Sequence, residues 1–172
     1  MNTITSQTIH VIQGEHHVDD RRDVLMTTVL GSCVAACLYD PVRGIGGMNH
    51  FLLPDGEARG DIRHASAAME QLVNSLLKRG ALRDRLEAKL FGGARMMAGL
   101  PDIGRRNGEA AVAFLRSEGI ILRAHSLGGS AARRVRFWPA MGKAQQMLLR
   151  DLNDPRTSPI APTPPTGSIE LF

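Results

Sequence analysis

A thiol and an imidazole flank what reads as a single β-hairpin. Cys33 precedes the apolar run 34–39, and His50 lies in the return segment 47–53. Between them Asp40-Pro41-Val42-Arg43-Gly44 is a strong turn signal, with Pro41 presetting its φ and Gly44 accepting a positive one. If Gly46-Gly47 forms a bulge the register shifts, so Cys33 falls either directly opposite His50 or diagonal to it. The chemistry such a pair performs is nucleophilic. A free cysteine, with a pKa of about 8.5, is only slightly ionised at neutral pH. A neighbouring imidazole takes its proton, steadies the thiolate and later returns a proton to a leaving amine. Such a base is usually oriented by a third polar group. Thr27, Thr28 and Asn49 are the local candidates, and spacing does not choose among them. The competing account is structural: cysteine is among the most often buried residues, and Cys37, inside Val34-Ala35-Ala36-Cys37, reads as core.

Other chemistries fit less well. His10, His16, His17, His64 and His125 show no metal-ligand spacing, so no metal is expected, and the proposed chemistry needs no cofactor. Gly92-Gly93-Ala94-Arg95 lacks the spacing of a phosphate loop or dinucleotide fingerprint and reads as a turn after a strand. Gly31-Ser32-Cys33 is not a G-x-S-x-G elbow, which makes Ser32 a poor nucleophile. Cys33 and Cys37 do not form a C-x-x-C pair, and two cysteines so close together make no disulfide framework; free thiols in a reducing compartment are the simpler expectation.

The elements that must position the pair follow from pattern. Short strands are predicted at 8–12, 23–29, 34–39 and 47–53, the last ended by Pro54-Asp55-Gly56. A helix is predicted over 61–79, with Asp61 as N-cap and Gly80 as stop; Ile62, Ala65, Met69, Leu72, Val73, Leu76 and Leu77 trace its apolar face. A second helix is predicted from Asn107, as cap, to Gly119. Each helix is followed by a strand (86–90, 120–125) and a glycine pair, and 134–138 with 144–149 reads as a closing hairpin. Five prolines among residues 155–165 resist regular structure. The expected organisation is one domain over 1–154 and a flexible Pro-rich tail over 155–172, with Ile169-Glu170-Leu171-Phe172 expected to fray.

Bulk properties narrow the function class. The chain has 172 residues, 43% hydrophobic and 22% charged, enough for one sizeable core. No stretch approaches the roughly 20 apolar residues needed to cross a bilayer, and residues 1–10 lack a secretory pattern, so a cytoplasmic location is expected. The net charge of +4 and the cluster Arg133, Arg134 and Arg136 invite a nucleic-acid reading, but aromatics make up only 4% and no recognition motif is visible. Mild basicity also suits an acidic protein partner.

Taken together, Leu30-Gly31-Ser32-Cys33-Val34, Tyr39-Asp40-Pro41 and Gly46-Gly47-Met48-Asn49-His50-Phe51-Leu52-Leu53-Pro54 resemble the chemoreceptor glutamine deamidases of the CheD family. The resemblance continues more weakly through Gly92-Gly93-Ala94, Ile103-Gly104-Arg105-Arg106-Asn107 and Gly128-Gly129. It implies an α+β fold, with mixed and antiparallel sheets packed on two main helices, related to deamidating bacterial toxins. It implies a catalytic Cys, His and Thr at Cys33, His50 and Thr27. The implied reaction converts glutamine to glutamate on the cytoplasmic helices of methyl-accepting chemotaxis receptors, through a thioester. A CheC-type phosphatase is a partner in some bacteria; neither nucleic acid nor membrane insertion is expected. A non-catalytic module regulating such a phosphatase or a receptor is the alternative. Gly129-Ser130-Ala131-Ala132-Arg133 departs from the family's more typical Gly-Asn-Arg-Gly-Arg, and the Pro-rich tail is extra.

Overall fold

The computed structural model of the chain describes residues 6–53, 58–149 and 169–172. Among these, the strands are β1 (Gln7–His10), β2 (His16–Asp19), β3 (Val24–Leu30), β4 (Val34–Asp40), β5 (Ile45–Asn49), β6 (Glu87–Gly92), β7 (Ile121–Leu127), β8 (Ala132–Trp138), β9 (Lys143–Leu149) and β10 (Glu170–Leu171). Helix α1 (Ala58–Lys78) lies between β5 and β6, and α2 (Ile103–Glu118) between β6 and β7. The strands form two five-stranded sheets, one ordered β1-β3-β8-β9-β10 and the other β2-β5-β4-β6-β7. Each is mixed: β1 runs parallel to β3, β6 runs parallel to β7, and the remaining pairs are antiparallel. The expected α+β architecture with two main helices is therefore what the chain adopts.

β4 shows how the layers are built. Val34, Ala36 and Leu38 project toward the helices and join Met69, Leu72, Leu76, Phe114 and Leu115 in one core. Ala35, Cys37 and Tyr39 project the other way, against Met26, Leu30, Val135 and Phe137 of the first sheet, in a second core. A strand buried on both faces needs a continuous apolar run, which is why 34–39 shows no alternation. Its hairpin turn is anchored by the fully buried Asp40, whose carboxylate accepts hydrogen bonds from the backbone of Val42, Arg43 and Leu82 and from the Arg85 guanidinium. Burial opposes the charge on Asp40, but these donors outweigh it and hold the carboxyl below its ordinary range.

Several expectations need correction. Helix α1 starts at Ala58, so Asp61 lies inside its first turn and is not the cap. Helix α2 starts at Ile103, capped by Asp102, whose side chain accepts from the Arg105 N–H at 3.0 Å; Gly119, at φ 68°, ends it. Asn107, read as the cap, is a fully buried interior residue of that helix. Strand β2 went unseen because a four-residue edge strand with two histidines carries little pattern. The last four residues do not fray: β10 pairs with β9, Phe172 exchanges two backbone hydrogen bonds with Ala144, and its ring meets Phe91 edge-on at 5.2 Å. The expectations for 155–168 and for Pro54-Asp55-Gly56 lie outside the described residues. The two helix–strand–Gly-Gly segments place β6 and β7 side by side, with the Gly128 N–H donating to the Gly92 carbonyl at 2.9 Å.

Candidate active site

The β4–β5 hairpin fixes where Cys33 and His50 meet. Cys37 pairs with Met48, and beyond the end of β5 Val34 still bridges Phe51 in the same register. No bulge intervenes, so His50 stands opposite Ala35 and diagonal to Cys33. Side chains alternate across the strand, and Cys33, Ala35, Cys37 and Met48 all pack toward the first sheet. The thiol and the imidazole thus share one face and a diagonal spacing of roughly 7–8 Å between backbones.

His50 is held firmly. It is 8% exposed, and its backbone is flanked by the β1–β2 loop: the His50 N–H donates to the Glu15 carbonyl and the Gly14 N–H to the His50 carbonyl. Its Nδ1 lies 2.8 Å from Thr28 Oγ1 and 3.2 Å from the Val11 carbonyl, while Thr28 Oγ1 donates to that same carbonyl at 2.7 Å. This triangle settles the tautomer. The Val11 oxygen only accepts, so the single Thr28 proton goes to it, and the proton between Thr28 and the ring must come from Nδ1. Nε2 is then the basic nitrogen. Burial lowers the pKa of His50, the Val11 carbonyl partly countering it, so the ring rests neutral near pH 7.

The hydroxyl on the imidazole is therefore Thr28, not Thr27. Thr27 is turned to the other face of β3, where its hydroxyl donates to the Val135 carbonyl at 2.9 Å. Strand alternation explains the split: Met26, Thr28 and Leu30 face the inter-sheet core, whereas Leu25, Thr27 and Val29 face outward. Asn49 is also excluded as the orienting group. It points to the helical layer, where its Oδ1 accepts from the Ala36 N–H and its Nδ2 reaches the Ala68 carbonyl.

Cys33 is partly buried at the rim of the inter-sheet core. In this resting arrangement its Sγ lies 3.8 Å from Oε1 of the exposed Gln13, the sulfur's hydrogen-bond partner among the described residues. Burial pushes the thiol up, and a hydrogen bond from the residue's own N–H pulls it back. Cys37 differs: it is fully buried, and burial drives its thiol far up, into a range where it is inert.

The loop carrying Cys33 is cradled by the end of β6. The Gly93 N–H donates to the Cys33 carbonyl at 2.8 Å and the Ala94 N–H to the Gly31 carbonyl at 3.0 Å. Gly92, at φ 109°, approaches so closely that a Cβ there would sit 2.1 Å from the Cys33 oxygen. Asn107 completes the cradle from α2, its Nδ2 donating to the Ser32 carbonyl at 2.8 Å and its Oδ1 accepting from the Leu53 N–H at 2.9 Å. Gln13, the Val11 carbonyl and this use of Asn107 were missed. A backbone carbonyl leaves no trace in sequence, but the period-2 pattern of β3 did contain the signal that separates Thr28 from Thr27.

The chain is similar to known proteins across most of its length. The family model described as "CheD chemotactic sensory transduction" matches residues 52–147. A protein of Caulobacter sp. strain K31, named "Probable chemoreceptor glutamine deamidase CheD", is 54% identical over 95% of this chain and 92% of its own length. One of the same name from Agrobacterium fabrum is 47% identical over the whole of both chains. Among solved structures, the Bacillus licheniformis hypothetical protein YfiH is 14% identical, with a TM-score of 0.46, over 74% of this chain and 60% of its own. On the family match and the identity across nearly the full length, the chain belongs to the CheD family.

Proposed function

We propose that this chain is a protein-glutamine deamidase acting in the cytoplasm on chemotaxis receptors, with Cys33 as nucleophile and His50 as general base. The observation that carries the reading is a neutral His50 anchored through Nδ1 on the face it shares with Cys33, leaving Nε2 as its basic atom. The names of the relatives supply the substrate class. In the first half-reaction the Cys33 proton passes to His50 Nε2 as sulfur attacks the carboxamide carbon, and the carbonyl π pair moves onto oxygen. Collapse of this tetrahedral species breaks the C–N bond, and the nitrogen leaves as ammonia with the proton from His50. Water then attacks the thioester, giving its proton to His50; the C–S bond breaks, glutamate is released and the proton returns to sulfur. Thr28, with the Val11 carbonyl, replaces Thr27 as the group that holds the ring. A relation to the cysteine-hydrolase fold of deamidating toxins forms part of this reading.

A protein substrate suits the surroundings. Ser32 lines a hollow with Met96, Met97 and Leu100, three side chains at least half exposed. Adaptable apolar surface beside a nucleophile fits a helical partner better than a small amide. No described helix is long and apolar enough to cross a membrane. A CheC-type phosphatase as second partner is part of the proposal.

The test incubates the protein with purified receptor cytoplasmic domains and measures ammonia together with the mass gain of about one dalton per amide converted, the difference between NH2 and OH. Cys33→Ala should abolish both while leaving binding intact. Ammonia release that survives the substitution removes the nucleophile assignment, and binding by the wild-type chain without release favours a non-catalytic regulator.

A further inference from the structure

We propose that Asn107 is a positioning residue that locks the Ser32–Cys33 peptide plane, so that the Cys33 N–H is presented as the oxyanion donor at the nucleophile. The inference rests on the deamidase reading and adds the part it lacks, the group that receives the negative charge of the tetrahedral intermediate.

The argument begins with a trans peptide, in which C=O and N–H point in opposite directions from one rigid plane. Holding the Ser32 carbonyl therefore aims the Cys33 N–H. Asn107 holds it at 2.8 Å. The amide orientation of Asn107 is fixed by its partners: the Leu53 N–H only donates and requires Oδ1, while the Ser32 carbonyl only accepts and requires Nδ2. Opposite that carbonyl, the Cys33 N–H meets no backbone or side-chain oxygen acceptor among the described residues. An N–H of the nucleophile itself with no such acceptor is suited to receive the oxygen of a substrate carboxamide once sulfur bonds to its carbon.

The second peptide of Cys33 is also pinned, its carbonyl by the Gly93 N–H and the Val34 N–H by the Phe51 carbonyl. A flip of the Ser32–Cys33 peptide is therefore opposed chiefly by Asn107. The residue is completely buried in the interior of α2, where asparagine is a poor helix former. Its placement is accounted for by the two backbone groups it joins, one before the nucleophile and one just after His50. Both halves of the site are thus referred to one rigid helix.

The test compares wild type, Asn107→Leu and Asn107→Asp in two assays. The first is deamidation of receptor cytoplasmic domains, resolved into kcat and KM. The second is alkylation of Cys33 by iodoacetamide across pH, which needs neither receptor nor oxyanion. Asn107→Leu is expected to lose about 100-fold or more in kcat, the effect of removing one oxyanion donor, with KM changed less than about threefold. Its alkylation midpoint should move to higher pH as the N–H turns away from sulfur. Asn107→Asp keeps the acceptor for Leu53 and guards against misfolding of the leucine variant. Its carboxylate opposes the Ser32 carbonyl, but once protonated it donates again, so its kcat deficit relative to wild type should shrink as pH falls. A folded Asn107→Leu protein with kcat within threefold of wild type, or with an unmoved alkylation profile, overturns the proposal. A wild-type chain that releases no ammonia while Asn107→Leu still shifts the alkylation profile leaves the peptide lock standing and removes the deamidase reading instead.

Discussion

At the scale of single residues, the site depends on which of two adjacent threonines holds an imidazole. Thr28 shares a carbonyl with His50 Nδ1, whereas Thr27 spends its hydroxyl on Val135 across the sheet. Thr28→Val should therefore lower kcat by about 10- to 100-fold, a part of the ~10²–10⁴ that a positioned base supplies. Thr27→Val should leave kcat unchanged and cost about 1 kcal/mol of stability for one lost hydrogen bond. Parallel kinetics and urea denaturation of the two variants check this, and the reverse pattern would restore Thr27 to the site. The protonation of His50 gives a second expectation. Burial lowers its folded pKa below the ordinary 6.5, so the unfolded chain binds the proton at higher pH than the folded one. The stability contributed by the neutral ring is thus complete above 6.5 and lost as pH falls through the lower folded value. The acid limb of kcat/KM should have its midpoint below 6.5, and the fall in Tm over the same window should flatten in His50→Asn. A midpoint above 6.5 would mean that burial does not govern the titration of the ring.

At the scale of elements, the nucleophile loop is shaped by what packs behind it. The Gly92-Gly93 pair, expected to be a turn after a strand, is instead the last residue of β6 and the one that follows it, both at positive φ, and it forms the floor under Cys33. Substituting Gly92 by alanine places a Cβ 2.1 Å from a backbone oxygen at φ 109°, so strand and loop must part. Strain and overpacking together should cost about 3 kcal/mol or more, and activity should fall with stability. Gly119 offers the control: φ is 68°, but nothing lies within 4 Å of a Cβ built there. Gly119→Ala should cost only the left-handed penalty, about 1–2 kcal/mol, and keep full kcat in the ammonia assay. Equal losses in the two variants would show that close packing beneath the nucleophile is unimportant.

At the scale of the molecule, the second sheet is sandwiched between helices and the first sheet, and the chain's last residues close one edge of that sandwich. Phe172 packs on Phe91, and its carbonyl accepts from the Lys89 ammonium at 2.7 Å. Phe172→Ala should destabilise by roughly 2 kcal/mol, less than a fully buried phenylalanine because the ring stays partly exposed. The check is a lower urea midpoint at unchanged m-value; no change would mean that these residues stabilise nothing.

The sequence alone determined the parts of this protein that local chemistry dictates. Pro41 and Gly44 set a tight turn, the apolar run 34–39 demanded burial on two sides, and together they brought Cys33 and His50 onto one hairpin. These are short-range effects of backbone geometry and hydrophobicity, legible from neighbours in the chain. Tertiary structure alone decided that Val11 and Gln13 reach the site, and that Asn107 links the loop before Cys33 to the segment after His50. Those contacts join residues far apart in the chain. Their energy exists only once two sheets and a helix are packed together, and no spacing along the chain encodes it.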